Sequence, residues 1–330
     1  MNQNINLRTY REKIRQFIEE KRALDLILSL IILLIIALLP FFITSAYWRG
    51  ILIVALYYAL AAMGWNLLGG YTGQFSIAPA AFSLIGMYTS ALLVYYWDWA
   101  PYQGIIMSVI STGIIGLLLG WICLRLRGPY LALTTIAFAE IIRGVIRFSY
   151  DITRGDLGLS VPKLYGGGGS HLAYYYTFLI VVAITQISLY FLIRSKIGLY
   201  LQSIRDDEVA ASGRGVNVVW WKTFAFVLSS LICGLAGGLY VHFSGLASPE
   251  MGLIMQSGLI IGMAVIGGMG TLGGPLIGGL ILQPLSEYVR EFGVQHMVIF
   301  AFLIIIVVRF WRAGLYGSLK NMLEKAIYYG

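Results

Sequence analysis

Gly50-Ile51-Leu52-Ile53-Val54-Ala55-Leu56-Tyr57-Tyr58-Ala59-Leu60-Ala61-Ala62-Met63-Gly64-Trp65-Asn66-Leu67-Leu68 runs without one charged side chain. A helix needs about 20 mostly apolar residues to cross the hydrocarbon core of a bilayer. The stretch is long enough to do so. Similar runs recur at 24–46, 75–96, 103–124, 130–148, 172–193, 223–243, 253–267, 275–289 and 296–311. Composition agrees: 59% of the 330 residues are hydrophobic, 12% are charged, and mean hydropathy is +0.81. A soluble domain carries about 25% charge. The fold class is therefore an all-α integral membrane protein, a polytopic helical bundle of about ten transmembrane helices. Several late runs are short and glycine-rich, so 253–289 reads either as two spans or as one span and a re-entrant segment.

The formal charge of +8 does not point to nucleic acid. With residue 1 in the cytoplasm and the runs alternating, the inner segments hold seventeen of the 23 Lys and Arg. Arg49, Arg143, Arg147, Arg154, Lys163 and Arg290 are the exceptions. That bias predicts both termini inside and an even number of spans. The opening lacks the pattern of a cleavable signal peptide. Instead Leu7, Tyr10, Ile14, Phe17 and Ile18 recur at helical spacing among basic residues, which predicts an amphipathic helix on the membrane surface. Cys123 and Cys233 lie in apolar runs and predict neither a disulfide framework nor a metal site. His171, His242 and His296 fall near outer ends of spans and read as interfacial residues. Aromatic clusters such as Tyr95-Tyr96-Trp97 and Trp220-Trp221 read as interfacial belts. Neither a Walker A motif nor catalytic residues at motif spacing are present, so the chain is not read as an enzyme.

Between two apolar runs lies Arg205-Asp206-Asp207-Glu208-Val209-Ala210-Ala211-Ser212-Gly213-Arg214-Gly215-Val216-Asn217. Asp206 is a good helix N-cap, and Asp207 and Glu208 suit the first turn. Ala210 and Ala211 favour helix. Gly213 and Gly215 can end it with positive φ, and Asn217 can cap the next helix. The result is a short helix held just inside the bilayer, either an ordinary capped loop helix or one that a cytoplasmic motor grips.

These residues, with Lys222-Thr223-Phe224-Ala225-Phe226-Val227-Leu228-Ser229, resemble the cytoplasmic loop of the inner-membrane permeases of high-affinity branched-chain amino acid ABC transporters, of the LivM type. Three further stretches are similar to that family, in the same order. They are Arg125-Leu126-Arg127-Gly128-Pro129-Tyr130 with Phe138-Ala139-Glu140-Ile141-Ile142-Arg143, then Val265 to Pro275, then Arg309-Phe310-Trp311-Arg312-Ala313-Gly314-Leu315-Tyr316-Gly317. Ser212 departs from the family, whose members often carry an acidic residue there.

The resemblance implies a permease subunit in the cell inner membrane, importing branched-chain or related amino acids. Relatives in the class also carry urea and short amides. It implies three kinds of partner: a second permease subunit, two ABC ATPase subunits and an extracytoplasmic substrate-binding protein. This chain would bind no cofactor, ATP being used by the ATPases. Residues 1–23 would be a cytoplasmic amphipathic segment, 24–311 the transmembrane permease domain with its coupling loop at 194–222, and 312–330 a cytoplasmic tail. Within the loop, Arg205, Asp206, Asp207, Glu208, Ala210, Ala211, Gly215 and Asn217 would couple to the ATPase.

Two glycine-rich breaks interrupt the apolar pattern: Gly69-Gly70-Tyr71-Thr72-Gly73-Gln74-Phe75-Ser76 and Gly267-Gly268-Met269-Gly270-Thr271-Leu272-Gly273-Gly274-Pro275. Non-helical backbone at membrane depth must be buried in protein or face a watery cavity. The breaks fall on the same side of the bilayer, which hints at a parallel internal repeat. They read either as substrate path, through Gly69, Gly70, Gly73, Gln74, Ser76, Gly267, Gly268 and Gly270, or as close packing. Thr134 and Thr135 are further polar candidates for the path. Glu140 shares a helix face with Arg143 and Arg147. It reads either as polar lining or as an internal ion pair. A secondary transporter using Glu140 as an ion site is the competing function, but it would not need the 205–217 helix.

Overall fold

The computed structural model describes residues 25–123, 126, 128–166, 169–290, 302, 305, 309 and 313–328. The expected surface helix at 1–23, His296 and most of the run at 296–311 lie outside the described residues. Apolar runs become helices, because a backbone in hydrocarbon must satisfy its own hydrogen bonds. The first are α1 (Asp25–Phe42), α2 (Ala46–Asn66), α3 (Pro79–Trp97), α4 (Pro101–Cys123) and α5 (Pro129–Phe148). A short α6 (Tyr150–Thr153), α7 (His171–Arg194), α8 (Lys196–Asp206), α9 (Glu208–Gly213) and α10 (Val218–Ser244) follow. The last are α11 (Ile254–Gly268), α12 (Gly274–Arg290) and α13 (Gly314–Tyr328). Among the described residues, six helices are long and apolar enough to cross a membrane, and α11 is apolar but shorter. The chain is thus a multi-pass, all-α membrane protein. Residues 254–290 form two helices, α11 and α12, joined by a tight turn.

The helix α2 is the axis of the bundle. In its membrane-spanning window 94% of residues are buried, against 33% for α4 and for α7. Only a central helix is wrapped on all sides, and a helix apolar all round fits that place. Packing α3, α4 and α10 together depends on small side chains. A Cβ on Gly237 would overlap the Ser83 carbonyl oxygen, and one on Gly86 would overlap the backbone of Gly234. Backbones meeting this closely gain dispersion contacts, which replace the hydrophobic drive that lipid removes. Polar pairs pin the layers. Tyr57, fully buried, has its hydroxyl 2.9 Å from Ser83 Oγ, and Tyr58 donates to Gln256 Oε1 at 2.5 Å.

One end of the bundle is closed by a two-stranded ribbon, β1 (Leu159–Ser160) antiparallel to β2 (Leu246–Ala247). His242 belongs to this end but is fully buried, which corrects its reading as an interfacial residue. Its Nδ1 donates to Pro162 O at 2.9 Å, and Ser90 Oγ lies 2.8 Å from Nε2. A carbonyl only accepts, so Nδ1 carries the proton and Nε2 accepts from the serine. The loop at Pro162 and two helices are thereby joined through one imidazole.

The glycine packing generates a contrast. Gly237→Val forces Cβ and two methyls into the Ser83 carbonyl and should cost about 3 kcal/mol or more, since overpacking a dense core costs about 1–3 kcal/mol for smaller insertions. Gly144→Ala, with nothing within 4 Å of the added carbon, should leave stability unchanged or slightly raised. Thermal unfolding of the detergent-solubilised protein checks both.

Candidate functional site

At the end opposite the ribbon, both glycine-rich breaks leave regular α-helix and meet. After Asn66 the helix α2 widens into a π-helical turn, Leu67–Tyr71. Such turns free backbone groups and often mark functional positions. The turn is stabilised locally: Trp65 Nε1 donates to Ser76 O at 2.7 Å and Gln74 N to Leu68 O at 3.1 Å. The second break is the turn between α11 and α12, with Gly270 at φ +74.

Asn66 joins the two. Its Oδ1 accepts from Gly270 N at 2.8 Å, and its Nδ2 donates to Thr271 O at 2.8 Å. The side chain is only 3% exposed, so these bonds satisfy backbone groups that water does not reach. A Cβ on Gly70 would overlap the backbone of Gly270, and Gly270 itself sits at a positive φ that favours glycine. Asn66 was not among the residues singled out from sequence. An asparagine placed directly before a glycine-rich break in an apolar run was the available signal.

Arg205 enters the same junction from outside. It is the penultimate residue of α8, and its Nη1 donates to Gly70 O at 2.7 Å. Gly73, at φ +70, lies beside the Arg205 backbone. One guanidinium therefore connects the loop carrying α9 to the first break. The loop also differs in register from its sequence reading. Asp206 closes α8, and the N-cap of α9 is Asp207, whose side chain accepts from Val209 N at 2.9 Å and Ala210 N at 3.0 Å. The preceding residues keep helical φ and ψ because α8 extends through Asp206, so the break moves one residue on. Gly213 ends α9 without positive φ, and only Gly215 adopts it, at +84. Asn217 caps α10, accepting from Trp220 N at 3.1 Å. Glu208 pairs with Lys222 of α10 at 2.7 Å, which folds the short helix back on the bundle. Ala211 is buried against the protein, and Ala210 is exposed.

The remaining candidates divide. Gln74 and Ser76 are buried in the segment after the π-turn, and Thr135 reaches them from α5 by accepting from Ile77 N at 2.9 Å. Thr134 only donates back to Tyr130 O. Gly69 packs on the ring of Trp65, and Gly267 and Gly268 pack on Gly274 and on the start of α13. Glu140 stands apart from the junction, five residues along α5 from Thr135. It accepts from Arg143 at 3.0 Å, and Arg147 pairs with Asp156 instead. The space enclosed between Asn66, Tyr71, Thr271 and Leu272 is about 10 Å³, enough for roughly one water and no amino acid. The junction is packed shut.

The C-terminal helix seals it from below. The Tyr316 ring fits where Gly273 lacks a side chain, and its hydroxyl donates to Asp25 Oδ1 at 2.6 Å. Lys320 pairs with the same carboxylate at 3.2 Å. Burial, and then Asp25, push the Tyr316 hydroxyl well above its ordinary pKa, so it stays a donor. Among the described residues, no group of three or more His, Cys, Asp or Glu could hold a metal ion.

Residues 47–308 match the family described as branched-chain amino acid transport system / permease component. This chain belongs to that permease family. It is 28% identical over 312 residues to the high-affinity branched-chain amino acid transport system permease protein LivM of Salmonella typhimurium, covering 86% of this chain and 73% of that one. The LivM protein of Escherichia coli matches equally, at 28% over the same length. The LivH permease protein of Salmonella typhimurium is 27% identical over 278 residues, covering 76% of this chain and 88% of that protein. No solved structure matches the chain. The family membership makes it a transport subunit and not an enzyme.

Asn66 offers a direct check on the junction. Asn66→Ala strands a buried N–H and a buried carbonyl, each worth on the order of 1–3 kcal/mol. Asn66→Asp keeps the acceptor for Gly270 N and loses the donor to Thr271 O. Thermal unfolding should rank wild type above Asp in stability, and Ala below wild type by about 2–4 kcal/mol.

Proposed function

We propose that this chain is the membrane-spanning permease subunit of an ATP-driven importer of branched-chain amino acids (leucine, isoleucine, valine) or related amino acids across the inner membrane. It spans the bilayer ten times with both termini in the cytoplasm. It works with a second permease subunit, two ABC ATPases and an extracytoplasmic binding protein. The substrate assignment is supported by relatives whose names all carry branched-chain amino acid transport. Helix lengths and the Lys and Arg bias support the topology: α11 and α12 add two short spans, α5 a polar one, and 296–311 the last.

The observation that carries the mechanism is the bond from Arg205 to Gly70 O. A loop gripped by a motor must pull on something in the membrane, and here Arg205, just ahead of α9, is bonded to the first of the two breaks. In this reading Asp207, Glu208, Ala210 and Ala211 shape the α9 helix that docks on the ATPase, with Asp206, Gly215 and Asn217 setting its ends. The breaks, with Gln74, Ser76 and Thr135, form the closed cytoplasmic end of the substrate path. ATP is consumed by the partners, and this chain needs no cofactor.

Uptake of labelled leucine into cells should require both the ATPase subunits and the binding protein. Uptake that survives loss of the ATPases and follows an ion gradient would sink the proposal. Arg205→Ala should leave the complex assembled while lowering uptake per ATP hydrolysed about tenfold, the equivalent of losing one charge-assisted hydrogen bond of about 1.5 kcal/mol. Parallel uptake and phosphate-release assays on reconstituted vesicles measure that ratio.

A further inference from the structure

The helices α4 and α10 run antiparallel and touch through glycines. A Cβ on Gly113 would overlap Leu231, one on Gly116 would overlap Ser230, and one on Gly120 would press on Phe226. Beyond Gly120, α4 has no further glycine, and a groove of about 420 Å³ lies between the two helices. It sits where α4 ends and α10 begins. Leu117, Leu118 and Trp121 of α4 form one wall, and Val219, Trp220 and Thr223 of α10 the other. Its volume falls in the range of ligand pockets, about 300–1,000 Å³. The walls are mostly apolar, so the body of the groove suits hydrocarbon and would strip a polar chain of its water. The indoles of Trp121 and Trp220, 71% and 61% exposed, flank it. Tryptophan collects at the level of lipid headgroups.

One end of the groove is polar and positive. Asn217 lines it, and its Oδ1 is taken by Trp220 N at 3.1 Å, which leaves Nδ2 as a donor. The N–H groups of Val218 and Val219 precede the bond from Trp221 N to Asn217 O that opens α10, so they stand ahead of the helical ladder. The positive end of a 27-residue helix therefore meets the groove. Arg214, three residues before Asn217, is exposed and forms no ion pair among the described residues. The nearby carboxylates are engaged: Glu208 pairs with Lys222, and Asp207 caps α9. In the sequence, Arg125 and Arg127 follow the end of α4. We propose that this groove binds an anionic phospholipid, with an acyl chain between α4 and α10 and the phosphate at the start of α10, within reach of Arg214. A basic pocket between membrane helices recognises such headgroups by charge. A zwitterionic lipid brings a compensating ammonium to the same positive end and is held less well. Arg214 is also the C-cap of α9, so a bound headgroup ties the α9–α10 loop to the bilayer.

The test uses the full chain, purified in detergent and mixed with equal amounts of phosphatidylglycerol and phosphatidylcholine bearing the same acyl chains. Native mass spectrometry counts the first lipid retained. Wild type should keep phosphatidylglycerol over phosphatidylcholine by about fivefold or more, and Arg214→Gln should cut that preference about fivefold, the factor one cation contributes near an anionic lipid. Val219→Trp fills the groove and should lower retention of phosphatidylglycerol. Ile110→Trp, equally bulky but on the exposed face of α4 away from the groove, should leave it unchanged. Thermal unfolding in lipid-free detergent checks that each variant is folded. If Val219→Trp is not, Leu118→Trp fills the groove from the opposite wall. Equal retention of the two lipids by wild type would overturn the proposal. So would a phosphatidylglycerol preference that survives both Arg214→Gln and the groove-filling variant.

Discussion

Everything at the end of this bundle that carries the two glycine-rich breaks depends on how closely two backbones approach at Gly70 and Gly270. Gly70 has no room for a Cβ, and Gly270 adopts a φ of +74 that side chains rarely allow. The approach lets one asparagine satisfy both the N–H of Gly270 and the carbonyl of Thr271. It also leaves the Gly70 carbonyl turned toward Arg205. A π-helical turn is what frees that carbonyl, since the widened ring does not follow the α-helical hydrogen-bond pattern. Take away the close approach and the turn between α11 and α12 loses its anchor, and Arg205 loses the carbonyl it holds.

The same economy runs through the rest of the fold. In lipid the hydrophobic effect does little to bring helices together, so packing and polar pairs carry the association. Here the glycines of α10 admit α3 closely, while Tyr57 with Ser83, Tyr58 with Gln256, and Ser90 with His242 fix the layers by hydrogen bonds. One end is tied by His242 and a short ribbon, the opposite end by Asn66 and Arg205. The two ends differ in kind. The tie at the ribbon end is made by a buried ring to loop backbone. The tie at the opposite end includes the half-exposed guanidinium of Arg205, just ahead of α9.

Several positions show where a linear reading reaches its limit. The cap of α9 moved from Asp206 to Asp207, since adjacent carboxylates offer the same chemistry and only the continuation of α8 selects between them. His242 was placed at a water interface by its distance from the helix end. The ribbon and the 159–166 segment fold over that end and bury it. Glu140 and Arg143 are paired as their spacing allows, but spacing says nothing about which way the pair faces.

The sequence by itself determined the class of the molecule: apolar runs of bilayer length, charges gathered between them, caps at Asn217 and breaks at the glycines. Those are local properties, set by transfer of side chains out of water and by the hydrogen bonds a short segment can make. The tertiary structure alone decided that the two breaks touch, that Asn66 and Arg205 meet there, and that α2 is central. Residues 66, 205 and 270 are brought together by packing among helices that the chain connects through long detours. Their contact energies depend on sub-ångström fit between backbones, which no local pattern encodes.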